Sequence, residues 1–428
     1  MSANLVFIDN DEKDINEDFS NLSISFNKKL SKEERQSNGI FFTPLQARRI
    51  ISRRLNTLFN SDDNINILEP SFGSGEFIFD MISQFPKSNI FGVEKHKDMY
   101  KAVLKEINNL PNTDNFNLTN IDFLKWNNTT KMNLIIGNPP YFVVKDKNPN
   151  CMTGRGNIFI LFLYKCLTEH LEKDGILAFV LPTSLYNCTY YEPCRKYIKE
   201  NCKILFLKNI SVSYYDTNQD TMIIIIQNTK STSHKYIVEL NNNIYFSPYY
   251  KELKELLINT KTLKELNCTV KTGEIVWNEN KEKLTDDPNK AILVVYTTNI
   301  VNNELIFNTG PGTRNTGSEI RVNLKGEKKQ YIKETKKTPI KGPAILISRG
   351  YGNKYKLSFA AVDENITFFG ENHINVIYPS GSGDNSSIIQ IIKKSLESEK
   401  TNKFIKYFIG NGALSKTEIE NILPIFLN

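Results

Sequence analysis

The sequence predicts an α/β fold, with a doubly wound, mostly parallel sheet followed by a C-terminal α+β domain. Short apolar runs alternate with helical stretches between about residues 66 and 182, which favours parallel strands with helices on both faces. The composition changes at Asn241-Asn242-Asn243 and Ser247-Pro248, as expected for a domain boundary. At 428 residues, the chain is also longer than one hydrophobic core usually serves.

The first predicted strand leads into a glycine-containing turn. Residues 66–77 read NILEPSFGSGEF, the pattern of a strand, a turn and the start of a helix. Gly73 and Gly75 carry no Cβ, so the backbone at this turn can approach a ligand closely.

Acidic side chains follow the next two predicted strands. The strand at residues 90–93 ends at Glu94, about 20 residues after the glycines, where a dinucleotide-type fold places an acid on ribose hydroxyls. The next element ends with Asp122 and Phe123, a carboxylate beside an aromatic ring. Each residue alone is also typical of a solvated turn, but their order along successive strand ends favours a ligand site.

The fourth predicted strand, residues 134–137, is followed directly by Asn138-Pro139-Pro140-Tyr141. This arrangement suits a planar amino group, whose lone pair is delocalised and which reacts only when both hydrogens are drawn towards acceptors. The Asn138 side-chain oxygen supplies one acceptor and the carbonyl of Pro139 the second, held by two prolines with fixed φ. Tyr141 offers a ring on which a base can stack. A plain turn closing a buried strand is the alternative interpretation.

In this order, the motifs resemble those of the gamma class of DNA adenine-N6 methyltransferases, over about residues 36–230. The resemblance implies S-adenosylmethionine as cofactor and a flipped-out adenine as substrate. It makes Asn138, Pro139, Pro140 and Tyr141 the catalytic box. The family's early motif corresponds to residues 38–44, with Thr43 beside the cofactor. The remaining cofactor residues implied by the resemblance are Glu69, Pro70, Ser71, Phe72, Gly73 and Gly75 towards the methionine end, Glu94 at the ribose, Asp122 and Phe123 at the adenine ring, and Pro140.

The same resemblance implies a second ring on the other face of the flipped base. Tyr215, ahead of the apolar strand at residues 221–226, is the best match, with Tyr214 as the alternative. Other enzymes also use Asn-Pro-Pro-Tyr to hold a planar amide or amine. An RNA adenine-N6 methyltransferase, a protein glutamine methyltransferase and a non-catalytic nucleic-acid-binding subunit therefore stay open as alternatives.

The elements around these motifs complete the first domain. Residues 1–35 are polar and read as a mobile arm or a short leading helix. Helices are predicted at residues 45–59 and 157–172, a strand at 175–182 and a mobile loop at 142–155. The predicted organisation is an arm over residues 1–35, a methyltransferase domain over 36–245 and a target-recognition domain over 246–428.

The last part of the chain has a different pattern, with short strands, Gly-containing loops and a terminal helix at about residues 387–409. It resembles the DNA-binding, target-recognition domains of such methyltransferases, and also enzymes of large DNA viruses. The densest basic stretch lies here and favours phosphate contact or a solvated loop equally; its members are Lys325, Lys328, Lys329, Lys333, Lys336, Lys337 and Lys341.

The composition of the chain limits the ligands, metals and cellular locations to be expected. The net charge of +7, from 54 basic and 47 acidic residues, suits a polyanion without requiring one. Six Cys and four His show no paired spacing, so no zinc or other metal site is expected. No signal peptide or membrane-length apolar run is found, which favours an intracellular location, in a bacterium or in the host or virion of a virus. We expect a monomer that acts on double-stranded DNA, modifies without cutting, and has a cognate restriction endonuclease as its possible partner.

Overall fold

The computed structural model of the chain describes residues 19–111, 113–210, 220–307, 329–350, 356–381, 383–408 and 414–427, together with the backbone of 313–315 and 320–322. The chain forms two compact units. The first comprises Met1–Val238 and Asn243–Pro248, and the second Glu239–Asn242 and Tyr249–Asn428. The functions assigned to the two parts of the sequence stay predictions.

The first unit contains a single large sheet with helices on both faces. Its helices are α1 Asn21–Lys29, α2 Lys32–Asn38, α3 Leu45–Leu55, α4 Glu76–Gln84, α5 Lys97–Ile107, α6 Ile158–Lys165 and α7 Glu192–Asn201. Its strands are β1 Asn66–Glu69, β2 Asn89–Val93, β3 Phe116–Thr119, β4 Met132–Gly137, β5 Leu171–Pro182, β6 Lys203–Ile210 and β7 Thr221–Gln227. The hairpin strands β8 Ile237–Leu240 and β9 Asn243–Phe246 follow.

The strand order β3-β2-β1-β4-β5-β7-β6 confirms the doubly wound, mostly parallel sheet. Strands β1 to β5 pair in parallel, and β7 runs antiparallel between β5 and β6. The chain leaves β1 towards β2 and β3 on one side and returns to β4 on the other. Ligands of open α/β sheets bind outside the carboxyl ends of strands at such a switch point.

Neighbouring residues of the central strands pack into opposite faces of the sheet. Ile67 and Leu134 belong to the apolar cluster with α3, α4 and α5, whereas Leu68 and Ile135 belong to the cluster with α6 and α7. Because both faces are buried, these strands read as continuous apolar runs. The expectation of helices on both faces is thereby confirmed.

Two helices of the first unit end earlier than expected. The helix predicted at residues 45–59 ends at Leu55, where the N–H groups of Thr57 and Leu58 bond carbonyls three residues back and tighten the last turn. The helix predicted at 157–172 changes at Cys166 into a π-helical turn, Cys166–His170, and β5 then begins at Leu171. Such a change of hydrogen-bond step leaves no mark in apolar periodicity.

The predicted terminal helix is divided in two. Helices α9 Asn385–Glu397 and α10 Glu399–Phe408 are separated by Ser398, whose backbone is extended with φ −72° and ψ 147°. The Ser398 hydroxyl accepts the N–H of Thr401 at 3.3 Å, as a residue that caps the following helix does.

The second unit is α+β, as predicted. Besides α9 and α10 it contains α8 Tyr250–Leu256 and α11 Lys416–Asn421. The strands are β10 Thr260–Lys261, β11 Cys268–Thr272, β12 Leu284–Thr285, β13 Ile292–Val295, β14 Ile300–Val301, β15 Glu304–Leu305, β16 Thr313–Asn315, β17 Ile320–Val322, β18 Tyr331–Ile332, β19 Ile340–Lys341, β20 Ala344–Ser348, β21 Phe359–Val362, β22 Thr367–Gly370, β23 Ile374–Pro379 and β24 Ile425–Phe426. A four-stranded sheet has the order β11-β23-β20-β21, and a five-stranded sheet the order β12-β18-β13-β22-β19.

Candidate active site

A cavity of about 380 Å³ opens in the first unit, at the carboxyl ends of β1, β2 and β4. It lies at the switch point of the sheet, where the topology favours a ligand. The predicted site residues that line it are Pro70, Ser71, Gly73, Glu94, Asp122, Phe123, Asn138 and Pro140.

The other predicted site residues do not line the cavity. Those in the described part are Thr43, Glu69, Phe72, Gly75, Pro139 and Tyr141. Tyr214 and Tyr215 lie outside the described residues. The structure therefore brings the glycine turn, the two acidic strand ends, Asn138 and Pro140 together around one cavity.

The glycine turn between β1 and α4 fixes Glu94. Gly73 and Gly75 both have positive φ, 54° and 81°, which L side chains rarely adopt. The Gly73 N–H donates to Glu94 Oε2 at 2.8 Å, and the His96 N–H donates to Glu94 Oε1 at 2.6 Å. Each carboxylate oxygen keeps acceptor capacity, so Glu94 can bind a hydroxyl pair presented from the cavity.

Burial of Glu94 raises its pKa above the ordinary value of 4.5, because removing the carboxylate from water disfavours its charged form. The two backbone hydrogen bonds act in the opposite direction and partly offset that shift.

Asp122 and Phe123 form another wall. Asp122 Oδ1 accepts the Leu124 N–H at 3.1 Å, and Oδ2 pairs with Lys95 Nζ at 3.0 Å. The Phe123 ring is buried and packs against Phe162, with centroids 4.9 Å apart. The result is a flat apolar surface beside a charged pair, a suitable environment for a purine ring.

Two buried oxygens at the end of β1 have no hydrogen-bond partner. They are Glu69 Oε2 and Ser71 Oγ. Burial, reinforced by the nearby Asp80 and Glu94 carboxylates, raises the pKa of Glu69 well above its usual range. Because buried polar atoms are normally satisfied, the Ser71 oxygen, whose residue lines the cavity, is suited to a hydrogen-bond donor carried by a ligand.

The Asn138 amide has a defined orientation. Its Nδ2 donates to the Phe41 carbonyl at 3.2 Å and lies 3.1 Å from Thr43 Oγ1. A carbonyl can only accept, so the nitrogen must face Phe41 and the oxygen must face the other way. Tyr141 OH donates towards that oxygen, Asn138 Oδ1.

Tyr141 is buried, with 8% of its surface exposed. Its ring stacks on Phe41 with centroids 5.9 Å apart and contacts Phe159 edge to face at 6.1 Å. The hydroxyl also lies 2.7 Å from the Val180 carbonyl oxygen. Whether this ring stacks on a base stays a prediction.

Several lining residues were not among the predicted site residues. Residues 38–42 line the cavity immediately before Thr43, as do residues 95–97 immediately after Glu94. Met99, Phe142, Ile158 and Phe162 complete the lining. The early motif at residues 38–44 was the sequence signal for the first group. Gly39 in that motif has a φ of 64° and lies so close to Asn138–Tyr141 that a Cβ would be 2.7 Å from the Tyr141 nitrogen.

Helix α1 packs behind the cavity. Phe26 and Leu30 form an apolar cluster with Phe42 and Met99, two lining residues. The Ser23 hydroxyl lies 2.7 Å from the Ser74 hydroxyl in the glycine turn. Residues 1–35 were expected to be a mobile arm or a short leading helix, and their described part lies in α1 and the beginning of α2.

Among the residues that the structure describes, no group of three or more His, Cys, Asp or Glu side chains is arranged to hold a metal ion. No helix in the described ranges is both long and apolar enough to span a membrane.

The known proteins that this chain resembles are methyltransferases. A family model for Eco57I restriction-modification methylases matches residues 38–215. Modification methylase CviBIII of Paramecium bursaria Chlorella virus NC1A is 30% identical over 422 residues, covering 96% of this chain and 99% of the relative. Type II methyltransferase M.CvrRI of Paramecium bursaria Chlorella virus XZ-6E is 31% identical over 417 residues, covering 95% and 99%.

A solved structure titled as a putative class I S-adenosylmethionine-dependent methyltransferase, from Listeria monocytogenes, covers 50% of this chain and 66% of its own. Its TM-score is 0.41 at 16% identity. The viral relatives cover nearly the whole chain, so their similarity extends over both units.

Proposed function

The chain belongs to the type II DNA modification methyltransferases of restriction-modification systems, which use S-adenosylmethionine, and we propose that it methylates the N6 amino group of adenine in double-stranded DNA. The observation that carries this proposal is the orientation of Asn138. Its nitrogen is bound by Phe41 and Thr43, so its oxygen is the atom left for a substrate amino group.

The chemistry requires acceptors rather than a strong base. The N6 lone pair of adenine is delocalised into the ring, and it becomes nucleophilic when both amino hydrogens are drawn to one side. Asn138 Oδ1 and the Pro139 carbonyl are the proposed acceptors. Their hydrogen bonds strengthen as positive charge develops on the nitrogen, so they stabilise the transition state more than the ground state.

The residues around the cavity fit S-adenosylmethionine, which supplies a methyl group on a positively charged sulfur when bound. Glu94 is proposed to accept the ribose hydroxyls, and Asp122 with Phe123 to hold the adenine ring. The unpartnered oxygens of Glu69 and Ser71 are proposed to accept hydrogen bonds from the amino-acid end. Pro70, Phe72, Gly73, Gly75, Thr43 and Pro140 complete the proposed cofactor set.

The target base is proposed to leave the duplex before it reacts. An adenine inside a helix cannot place its amino group beside Asn138 at the floor of a protein pocket, so its nucleotide must swing out. Stacking on aromatic rings offsets part of the few kcal/mol of unstacking cost. Tyr141 and Tyr215 are the proposed rings, and 2-aminopurine at the target position should fluoresce more strongly on binding.

Residues 246–428 are proposed to recognise the target sequence, and a restriction endonuclease is the proposed partner in the same system. The similarity of the viral type II methyltransferases over nearly this entire chain supports both assignments.

The product of the reaction tests the proposal. Unmethylated DNA is incubated with the protein and S-adenosylmethionine, digested to nucleosides and analysed by mass spectrometry. We expect N6-methyldeoxyadenosine, and methylation-sensitive sequencing then gives the target site. N4-methyldeoxycytidine would overturn the base assignment, transfer only to RNA or to a protein amide would overturn the substrate, and the absence of any product with the cofactor bound would favour a non-catalytic subunit.

A further inference from the structure

Both the nitrogen and the oxygen of the Asn138 side chain have hydrogen-bond partners. The partner of the oxygen is Tyr141, the residue whose ring is proposed to stack on the base. Nδ2 is fixed by Phe41 and Thr43. Oδ1 is contacted by Tyr141 OH, and the same hydroxyl reaches the Val180 carbonyl on β5 at 2.7 Å. The Tyr141 hydroxyl therefore connects the Asn138 amide to the backbone of β5, the strand next to β4.

The Tyr141 hydroxyl has little freedom to move. The ring is packed between Phe41 and Phe159, and the residue is 8% exposed. Phe41 contributes twice, since its ring stacks on Tyr141 and its carbonyl accepts from Asn138. Ring packing thus fixes the hydroxyl at the position from which it meets Asn138 Oδ1.

The hydrogen bonds leave room for a substrate. An amide oxygen has two lone pairs, so Asn138 Oδ1 can accept from Tyr141 and also from an exocyclic amino group. A phenol has one proton and can donate to Val180 when it does not donate to Asn138. Either arrangement keeps the phenol beside the amide.

We propose that Tyr141 is a positioning residue for Asn138, acting through its hydroxyl in addition to any contact of its ring with the base. The inference rests on the proposed adenine-N6 activity. Reacting groups must be held within a fraction of an ångström, and a displacement of about 1 Å can cost 10²-fold in rate. A hydroxyl that removes one rotational freedom of the acceptor should therefore affect the rate of transfer.

Tyr141→Phe separates the two roles, because it keeps the ring and removes only the hydroxyl. In single-turnover measurements, we expect methyl transfer to slow by about tenfold. Cofactor affinity and the 2-aminopurine signal should stay within about twofold of wild type, since neither uses the hydroxyl. Tyr191→Phe is the matched control. Tyr191 also contacts Phe159 edge to face, with centroids 5.3 Å apart, and the variant should transfer methyl groups at the wild-type rate.

A double-mutant cycle shows whether the hydroxyl acts through Asn138. The Asn138→Ala protein and the Asn138→Ala, Tyr141→Phe protein should have equal residual rates, because the hydroxyl has no amide left to position. A further tenfold loss in the double variant would overturn the inference, and so would a wild-type rate for Tyr141→Phe. If wild-type protein forms no N6-methyladenine, the proposed function fails. If it does and Tyr141→Phe is unaffected, the positioning role alone fails.

Discussion

At the scale of single residues, the neighbours of Asn138 determine which way its side-chain amide is oriented. Two acceptors, Phe41 O and Thr43 Oγ1, face its nitrogen, and this leaves its oxygen towards Tyr141. The orientation depends on a backbone carbonyl and a hydroxyl about 95 residues earlier in the chain. The strand and tetrapeptide predict that Asn138 lies at a strand end, but they contain no information about what its nitrogen will bind.

Replacing Asn138 by Ala should abolish most methyl transfer while leaving the cofactor site in place. A hydrogen bond that strengthens in the transition state is typically worth about 100-fold or more in rate. We expect single-turnover transfer to fall by at least that factor and calorimetric affinity for S-adenosylmethionine to change by less than about twofold. A variant that retains wild-type turnover would refute the catalytic assignment.

Glu94→Gln should weaken cofactor binding, whereas Asn138→Ala should slow the transfer step. The carboxylate already accepts from Gly73 and His96, and a neutral amide would present an N–H to one of those donors. Charge-assisted hydrogen bonds contribute about 1.5–3 kcal/mol each, so we expect cofactor affinity to fall by about 10- to 100-fold. Glu106→Gln, an exposed acid on α5, is the control. Unchanged affinity in calorimetry would make Glu94 a structural residue only.

At the scale of elements, helices α3 and α4 are joined by a buried charge cluster beside the site. Arg48 on α3 pairs with Glu76 at 2.6 Å and with Asp80 at 2.6 Å, both on α4. The Arg48 side chain is 9% exposed and that of Glu76 6%. The same arginine donates to the Thr43 carbonyl at 3.3 Å, so the cluster also fixes the segment that orients Asn138.

Arg48→Met should destabilise the protein by about 3 kcal/mol or more. Removing one partner of a buried ion pair leaves the carboxylates without compensation, and that costs more than the pair contributes. Arg49→Met is the matched control, because Arg49 is the next residue on α3 and is exposed. Urea unfolding of both variants measures the difference, and equal midpoints would show that the cluster does not stabilise the fold.

The Glu69 carboxyl at the end of β1 should make stability depend on pH. Its pKa in the folded protein is raised well above 4.5 by burial, so folding is favoured below the ordinary Glu pKa and loses stability as pH rises through the raised value. Glu69→Gln removes this loss. We expect its melting temperature to exceed that of wild type at pH 8, with the difference shrinking towards pH 4.5. A constant difference across this range would show that Glu69 is not the titrating group.

The strands that lead into the site were predicted from the sequence, but several helix ends were not. Apolar runs at 66–69, 90–93 and 134–137 identified central strands because both faces of the sheet are buried. Ser398 divides a stretch whose apolar residues continue on both sides, so periodicity predicts one helix where the hydroxyl of Ser398 begins a second. The cavity wall at residues 38–42 was missed as lining for a related reason, since it depends on contacts distant in sequence.

At the scale of the whole molecule, the excess of positive charge is modest, so DNA binding should depend on where the lysines lie. The net charge is +7 over 428 residues. Lys325 and Lys328 of the lysine-rich stretch lie outside the described residues, whereas Lys333 and Lys336 are exposed in the second unit. Lysines that contact phosphates release counterions on binding, which makes affinity depend on salt.

The double substitution Lys333→Gln, Lys336→Gln should weaken DNA binding equally on target and non-target sequences. Each lost phosphate contact lowers the slope of log affinity against log salt by about 0.9, so the slope should fall by up to about 2. Lys101→Gln, Lys105→Gln on α5 removes the same charge from another exposed surface and serves as the control. Equal slopes for all three proteins would assign these lysines to a solvated loop.

Gly39 lies close to the Tyr141 backbone, and this affects when the site can form in a newly made chain. The contacts that direct Asn138 join residues 97 and 95 positions apart, and Gly39 meets the Tyr141 backbone across a similar distance. Such contacts form only after a long loop has closed, which is slow compared with forming a helix or a local turn. Phe162 is the last residue along the chain that lines the cavity, so a ribosome must have released residue 162 before all of its walls can meet, and a nascent chain with its glycine turn already folded would still have no complete site.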